Sequence, residues 1–445
     1  MDKQDPELIK KIREQFDSAP YPRIPLEKSP KEDYNFLFIH NLLTPYYLRN
    51  QKVINTEGKI ILDAGCGSGY KSLALAIANP GAKIIGIDIS EESAKLAKHR
   101  LEYHGFENHE FYYPISIEEI PSLGLEFDYI NCDEVLYLLP EPTKGLQAMK
   151  SVLKPDGIIR ANLHSSLQRT YFYRAQEIFK MMGLMDENPR ELEIELARQV
   201  MVALKDGVLL KARTFVPDKA NDEEWMLMNY LFQGDKGYTI PEMFAALKAA
   251  DLEFISMVNW RQWELMELFA NPEDLPAFLE ISLPEISIEE RLHLFELIHP
   301  INRLLDFWCG HPNQGETYVP VGEWELSDWQ RARVHLHPQL RTPQVKEKLI
   351  ECIHKHKPFE ISAYISLPTT VPITIDSSRA AYLLPLWEGA QPFSALVERA
   401  LKIRPLDLAT LEPVDEKRAF DEVKELLSQL EPFMYVLLEP AVSEI

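Results

Sequence analysis

Between Lys59 and Asn162 short runs of β-branched residues alternate with segments of helical periodicity, and this alternation restricts the fold more than any other feature of the chain. Strands separated by a helix pair in parallel, because only a crossover of a dozen or more residues returns the chain to the same end of a sheet. KIILD (59–63) is a first buried strand; YKSLALAIAN then places Leu73, Ala76 and Ile77 on one helical face, and NPGA stops the helix. KIIGID (83–88) is a second strand. Ser90 caps the next helix, Glu91 and Glu92 favour its first turn, Ala94, Ala97 and Leu101 form its apolar stripe, and Gly105 ends it. HEFYYP, FDYINC and GIIRANL supply three more strands; a helix bearing Leu146, Met149 and Val152 and a turn at Lys154-Pro155-Asp156-Gly157 precede the last. The expectation is an α/β fold with a doubly wound sheet.

The 445 residues allow two or three domains. Residues 1–50 read as a helical lead-in: a short amphipathic helix with Ile9, Ile12 and Phe16, the proline-marked turn SAPYPRIP, then the aromatic YNFLFIHNLLTPYYLRN. Residues 51–262 form the sheet domain, interrupted over about 165–237 by a helical insertion expected to cap the sheet's edge. The alternation resumes at TIPEMFAALKAADLEFISMV. Residues 263–445 are an appended region, helical in period through LHLFELIHPINRLLDFW, rich in Trp and Pro after it, and closing as a small α+β unit. In that unit VKEKLIECIHK is a helix, FEISAYISL and VPITID are strands, and FMYVLLE is the last strand.

Charge and patterning remove several function classes. The 69 acidic residues outnumber the 47 basic ones, and a net charge of −22 opposes a phosphate backbone, so a nucleic-acid partner is disfavoured. No apolar run approaches the ~20 residues of a membrane span. MDKQDPELIKKIREQF has neither an apolar h-region nor a cleavage site, and four scattered cysteines form no disulfide framework, so the expected compartment is the cytoplasm.

The segment with the most chemical content is LDAGCGSGY, Leu62–Tyr70, where a strand turns into a helix. There, backbone N–H groups face a ligand and glycines permit close approach, so a nucleotide-containing cofactor is implied. The dinucleotide fingerprint G-x-G-x-x-G is not met, because Gly65, Gly67 and Gly69 are followed by Tyr70 where the third glycine of that motif belongs. No Lys-Ser/Thr pair closes a P-loop either.

Asp63 followed by G-x-G-x-G resembles the first motif of the class I S-adenosylmethionine-dependent methyltransferases. Asp88 lies 19 residues beyond Gly69, SIEEIP resembles the stretch after the third strand, FDYINCDEVLYLL the fourth-strand motif, and LQAMKSVLKPDGIIR the helix-turn-strand that follows. The resemblance implies a Rossmann-like seven-stranded methyltransferase sheet with S-adenosylmethionine as cofactor. It places Asp63, Ala64, Gly65, Cys66, Gly67 and Gly69 around the methionine and ribose, and Asp88 with Ile89 at the ribose. Ser116 stands where the family's adenine-binding Asp is common, with Ile117 beside it. Asn131 and Asp133 fall near the methyl-bearing sulfonium.

Methyl transfer is an in-line displacement, and an acceptor that must lose a proton benefits from a base. Glu134, Tyr137 and His164 are the catalytic candidates at the cofactor end of the sheet; Arg160 and Arg169 are candidates to orient an anionic substrate. Tyr34, His40, Tyr46 and Tyr47 are expected either to fold over the cofactor or to pack on the sheet, with Tyr21 and Arg23 weaker candidates. Cys309, His311, His335, His337, Cys352, His354 and His356 match no standard zinc spacing, and no metal site is expected. AAYLLPLWEGAQPFSALVERAL, with Leu383, Leu384, Pro385, Leu386, Gly389 and Phe393, resembles the methyltransferase regulatory domain family, whose members include bacterial enzymes that methylate lysines of surface proteins. The acceptor is therefore expected to be a protein side chain or a small molecule. The alternatives are a small-metabolite O-, N- or C-methyltransferase whose C-terminal region serves homodimerisation, and a cofactor-binding regulator without turnover.

Overall fold

The computed structural model describes residues 11, 13, 14, 17, 21–316, 318–369, 371–407 and 409–440. Ile9, Ile12 and Phe16, the apolar residues of the expected first helix, lie outside them.

The centre of the molecule is a sheet in which β1 (Ile60–Ala64), β2 (Lys83–Ile87), β3 (His109–Tyr112), β4 (Phe127–Cys132) and β5 (Leu153–Ser165) are parallel. The two-residue β6 (Gly237–Tyr238) adds to the end of β5. β7 (Glu253–Met257) and β8 (Leu304–Gly310) complete the order β3-β2-β1-β4-β5-β8-β7, with β8 antiparallel to both neighbours. β1, β2 and β4 are buried along almost their whole length, as expected of parallel strands covered on both faces. Ser90 accepts from the Ser93 N–H as the expected N-cap, and Ala94, Ala97 and Leu101 are buried. At the expected turn of 154–157 the register jumps from Phe127–Leu153 to Tyr129–Ile158, so those residues bulge from the ladder.

Two expectations are corrected. LHLFELIHPINRLLDFW is not one helical run: a helix covers Ile288–Ile298, and β8 follows. Held between β5 and β7, most of β8 is covered on both faces, so no period-2 alternation marks it as a strand. The sheet therefore extends past the boundary expected at residue 262. FEISAYISL forms only the two-residue strand β10 (Phe359–Glu360) and then a 3₁₀ turn, Ile361–Ala363.

The insertion after β5 consists of helices Thr170–Met181, Glu191–Ala203, Leu209–Thr214 and Glu223–Tyr230, which bury Ala175, Phe179, Ala197, Met201, Met226 and Tyr230 in a core of their own. Beyond β8, β9 (Arg333–Leu336) runs between β12 (Gln391–Pro392) and β13 (Val436–Glu439), antiparallel to both. β10 pairs separately with β11 (Thr374–Ile375). Helices Pro343–His354, Phe393–Ile403 and Glu416–Leu430 pack on this unit, whose apolar core also takes in Phe38, Leu43 and Tyr47 from helices Tyr34–Ile39 and Leu43–Asn50. Among the described residues, no helix is long and apolar enough to cross a membrane.

Candidate active site

A cavity opens at the C-terminal ends of β1, β2 and β4, the position where open α/β sheets bind ligands. Of the residues expected there, Gly65, Cys66, Gly67, Asp88, Ile89, Ser116, Ile117, Asp133 and Glu134 line it; Tyr21, Lys71, Glu118 and Leu138 are among the residues that join them.

The glycine loop owes its shape to three positive φ angles, 81°, 51° and 80° at Gly65, Gly67 and Gly69. Their roles differ. A Cβ on Gly65 would stand 2.5 Å from Val135 Cγ2, and one on Gly69 would stand 2.4 Å from the Ala97 Cα. Gly69 therefore serves the close packing of two helices and does not line the cavity. Asp88 at the end of β2 accepts from the Gly67 and Ser90 N–H groups at 2.9 and 2.8 Å. Burial pushes its carboxyl up to about 6.

Several expected ligand contacts are spent within the protein. Asp63 accepts from the Ser72 hydroxyl at 2.5 Å and from Asn131 Nδ2 at 2.9 Å, and neither Asp63, Ala64 nor Asn131 lines the cavity. The Asp63–Asn131 pair joins β1 to β4 beneath the loop. Ser116 donates its hydroxyl and its N–H to Glu119, in a capping box that leaves Glu118 facing the cavity.

At the other end, Asp133 pairs with Lys71 at 2.9 Å and accepts from Asn162 at 2.5 Å. Burial alone would raise its pKa; Arg160 and Lys71 outweigh that and hold the carboxyl far below the usual range. Lys71 is a cavity residue that sequence reasoning missed, since a lysine opening a helix carries no motif. Glu134 has a left-handed backbone, φ 63°, an uncommon conformation for a side-chain-bearing residue that is held here by a bond from its N–H to Asn162 Oδ1 at 2.8 Å. Its carboxylate meets Arg303 through two bonds, of 2.5 and 3.1 Å.

His164 and Tyr137 lie directly behind this pair and do not line the cavity. Their rings stack at 3.8 Å. Asp235 sits 2.6 Å from His164 Nδ1 with a fully buried carboxylate, and Arg303 Nη1 lies 3.1 Å from His164 Nε2. Because arginine only donates, Nε2 accepts and the proton resides on Nδ1, directed at Asp235. Burial lowers the His164 pKa, so the ring is neutral. Asp235 and Arg303 come from the end of the insertion and from the residue before β8, two places where nothing local marks them.

Arg160 and Arg169 do not face the cavity. Arg160 binds Asp306 at 2.7 Å and Arg169 binds Asp235 at 2.8 Å, both buried. Of the aromatic lead-in, Tyr34 contacts Thr342, His40 contacts Arg160, Tyr46 donates to the Asp128 carbonyl and Tyr47 to the Glu431 carboxylate. All four pack between the sheet and the C-terminal unit; the cover over the cavity comes from Tyr21 and Pro22. Among the described residues there is no metal-binding cluster of His, Cys, Asp or Glu.

The lining suits S-adenosylmethionine by its chemistry. Asp88 stands at the end of β2, Ile89, Ile115 and Ile117 offer apolar walls, and Lys71 and Asp133 place opposite charges at the other end. The profile of a methyltransferase-domain family matches residues 55–226. PKMT2 from Rickettsia typhi has a similar fold, with a TM-score of 0.58 and 16% identity, over 92% of this chain and 75% of that one; its complex with AdoHcy gives 0.58 and 17%. The ubiquinone biosynthesis O-methyltransferase of Actinobacillus pleuropneumoniae is 33% identical over 146 residues, 32% of this chain. The chain spans 59% of the length of that relative. An uncharacterised protein of Synechococcus is 24% identical over 322 residues, 70% of this chain and 73% of its own. Residues 55–226 carry a methyltransferase domain. That domain makes the protein a methyltransferase.

Proposed function

We propose that the protein methylates a protein side chain whose acceptor atom sheds a proton, an amine or a hydroxyl, and that His164 takes that proton. The observation behind this reading is the His164–Asp235 pair, with Nδ1 held at 2.6 Å and Nε2 3.1 Å from Arg303, whose partner Glu134 lines the cavity. A carboxylate acceptor needs no base; a buried neutral imidazole backed by a buried carboxylate has the arrangement of a general base.

S-adenosylmethionine supplies an electrophilic methyl carbon on a sulfonium. In this reading Asp88 accepts from the ribose hydroxyls, the Lys71–Asp133 pair holds the amino-acid end, and Glu118 with Ile117 meets the adenine. Arg303 withdraws as the acceptor enters. His164 Nε2 then receives the acceptor's proton while Asp235 stabilises the imidazolium, and Tyr137 keeps the ring in plane. Residues beyond β8 select the acceptor; a unit of that size exceeds what a small acceptor needs, which supports the protein reading.

Tritiated-methyl cofactor in a cell lysate separates the acceptor classes. The expected result is base-stable label on a protein band. Base-labile label would mean a carboxylate acceptor and remove the role of His164. Label confined to small molecules would favour a metabolite O-methyltransferase, the reading supported by the ubiquinone-pathway relatives over the cofactor half.

A further inference from the structure

Residues 21–26 form neither helix nor strand, yet they are fastened closely to the cofactor loop. Ser68 donates its N–H to the Tyr21 carbonyl at 2.9 Å and its hydroxyl to that of Pro22 at 2.7 Å. The two backbones come so near that a Cβ on Gly67 would stand 2.3 Å from the Tyr21 oxygen. From the helix Glu91–Tyr103, Arg100 Nη2 and Nη1 donate to the Ile24 and Pro25 carbonyls at 2.7 and 2.9 Å, while its Nε donates to the Ser68 carbonyl at 2.9 Å. Four residues on, His104 Nε2 meets the Leu26 carbonyl at 2.9 Å.

Arg100 is fully buried, and these hydrogen bonds go to carbonyls, not to a carboxylate. A buried guanidinium is costly unless its donors are used, and here they join two segments remote in sequence. One segment is the loop at the cofactor. The other carries Tyr21 and Pro22 into the cavity wall, where Glu134 and Lys71 are among the charges acting on the Tyr21 phenol.

We propose that residues 21–26 are a strap completing the cofactor cavity, and that Arg100 is a positioning residue that sets the strap against the glycine loop without touching the cofactor. The inference rests on the cofactor and is independent of the acceptor. Free protein with a loosened strap must order it on binding, so the cost falls on affinity and not on the displacement step.

The test uses full-length protein with S-adenosylhomocysteine as the calorimetric probe and trypsin cleavage at the exposed Arg23 as the reporter of the strap. Arg100→Lys keeps the charge and loses the three-way donation. The expected loss of affinity is roughly ten- to hundredfold, the range for hydrogen bonds to a charged group. KM for S-adenosylmethionine rises in parallel, kcat at saturation stays within about twofold, and protection of Arg23 by S-adenosylhomocysteine disappears. Ser68→Ala removes only the bond to Pro22 and gives a smaller loss in the same direction, so the test holds even if Arg100→Lys does not fold. Wild-type affinity in both variants with faster cleavage at Arg23, or no protection of Arg23 in the wild type, overturns the proposal.

Discussion

Asp88 shows how one buried side chain couples pH to both stability and ligand binding. Its folded-state pKa of about 6 lies above the ordinary 3.8, so the unfolded chain loses this proton first, and the group's contribution to stability falls as pH rises from 3.8 to about 6. Binding runs the opposite way, because two ribose hydroxyls need the ionised carboxylate. Cofactor affinity measured by calorimetry should drop about tenfold per pH unit below 6, and Asp88→Asn should bind weakly and lose this dependence. Asp88→Ala with intact affinity would disprove the ribose assignment. For His164 the expected effect of His164→Gln is a loss of roughly 10²–10⁴ in kcat with KM for the cofactor unchanged. Asp235→Asn should lower kcat as well, and a pre-steady-state rate that ignores both substitutions would remove the general base. At Gly69, alanine meets both a left-handed backbone and the Ala97 Cα at 2.4 Å. Gly69→Ala is expected to cost about 2–4 kcal/mol in urea denaturation, the sum of backbone and overpacking effects.

Among the elements, the insertion is held to the sheet at its two ends. Arg169, four residues after β5, and Asp235, two before β6, form a buried pair at 2.8 Å, and Gln176 Nε2 donates to the same carboxylate oxygen at 2.9 Å. Burial would raise the Asp235 pKa; His164 and Arg169 together hold it at about 2. Arg169→Met leaves a buried carboxylate short of its cation and is expected to destabilise by about 3–5 kcal/mol in chemical denaturation. The same change should raise the His164 pKa, since Arg169 is one of the cations that lower it, and NMR titration of the ring reads that shift. An unmoved His164 titration would show that the insertion does not tune the base.

Across the molecule, the helices Tyr34–Ile39 and Leu43–Asn50 are a joint between the sheet and the C-terminal unit. Phe38, Leu43 and Tyr47 belong to the C-terminal core, while Leu42 and Tyr46 belong to the core against β1 and β2. Tyr47 donates to Glu431 at 2.9 Å and accepts from the Leu438 N–H at 3.0 Å. With apolar cores shared in this way, heating should give one cooperative calorimetric transition in the wild type. Tyr47→Phe removes the hydroxyl from buried partners, is expected to cost about 1–3 kcal/mol, and should broaden or split that transition. A wild type that already melts in two steps would show that the joint does not couple the units.

The sequence by itself determined the parallel run of β1–β5, the cap at Ser90 and the glycine loop, because each depends on neighbours within one turn or one strand. The carboxylate at the end of the second strand was legible for the same reason. Tertiary structure alone decided that Asp63 and Gly69 act inside the protein and not on the cavity, since their partners Asn131 and Ala97 come from other elements. It also decided that Leu304–Gly310 is a strand, because its place between β5 and β7 hides the alternation by which a strand is recognised. Lys71, Arg100, Asp235 and Arg303 left no trace in local pattern. A single charged side chain looks the same in sequence whether it meets water or a buried partner, and only the folded chain brings the partner to it.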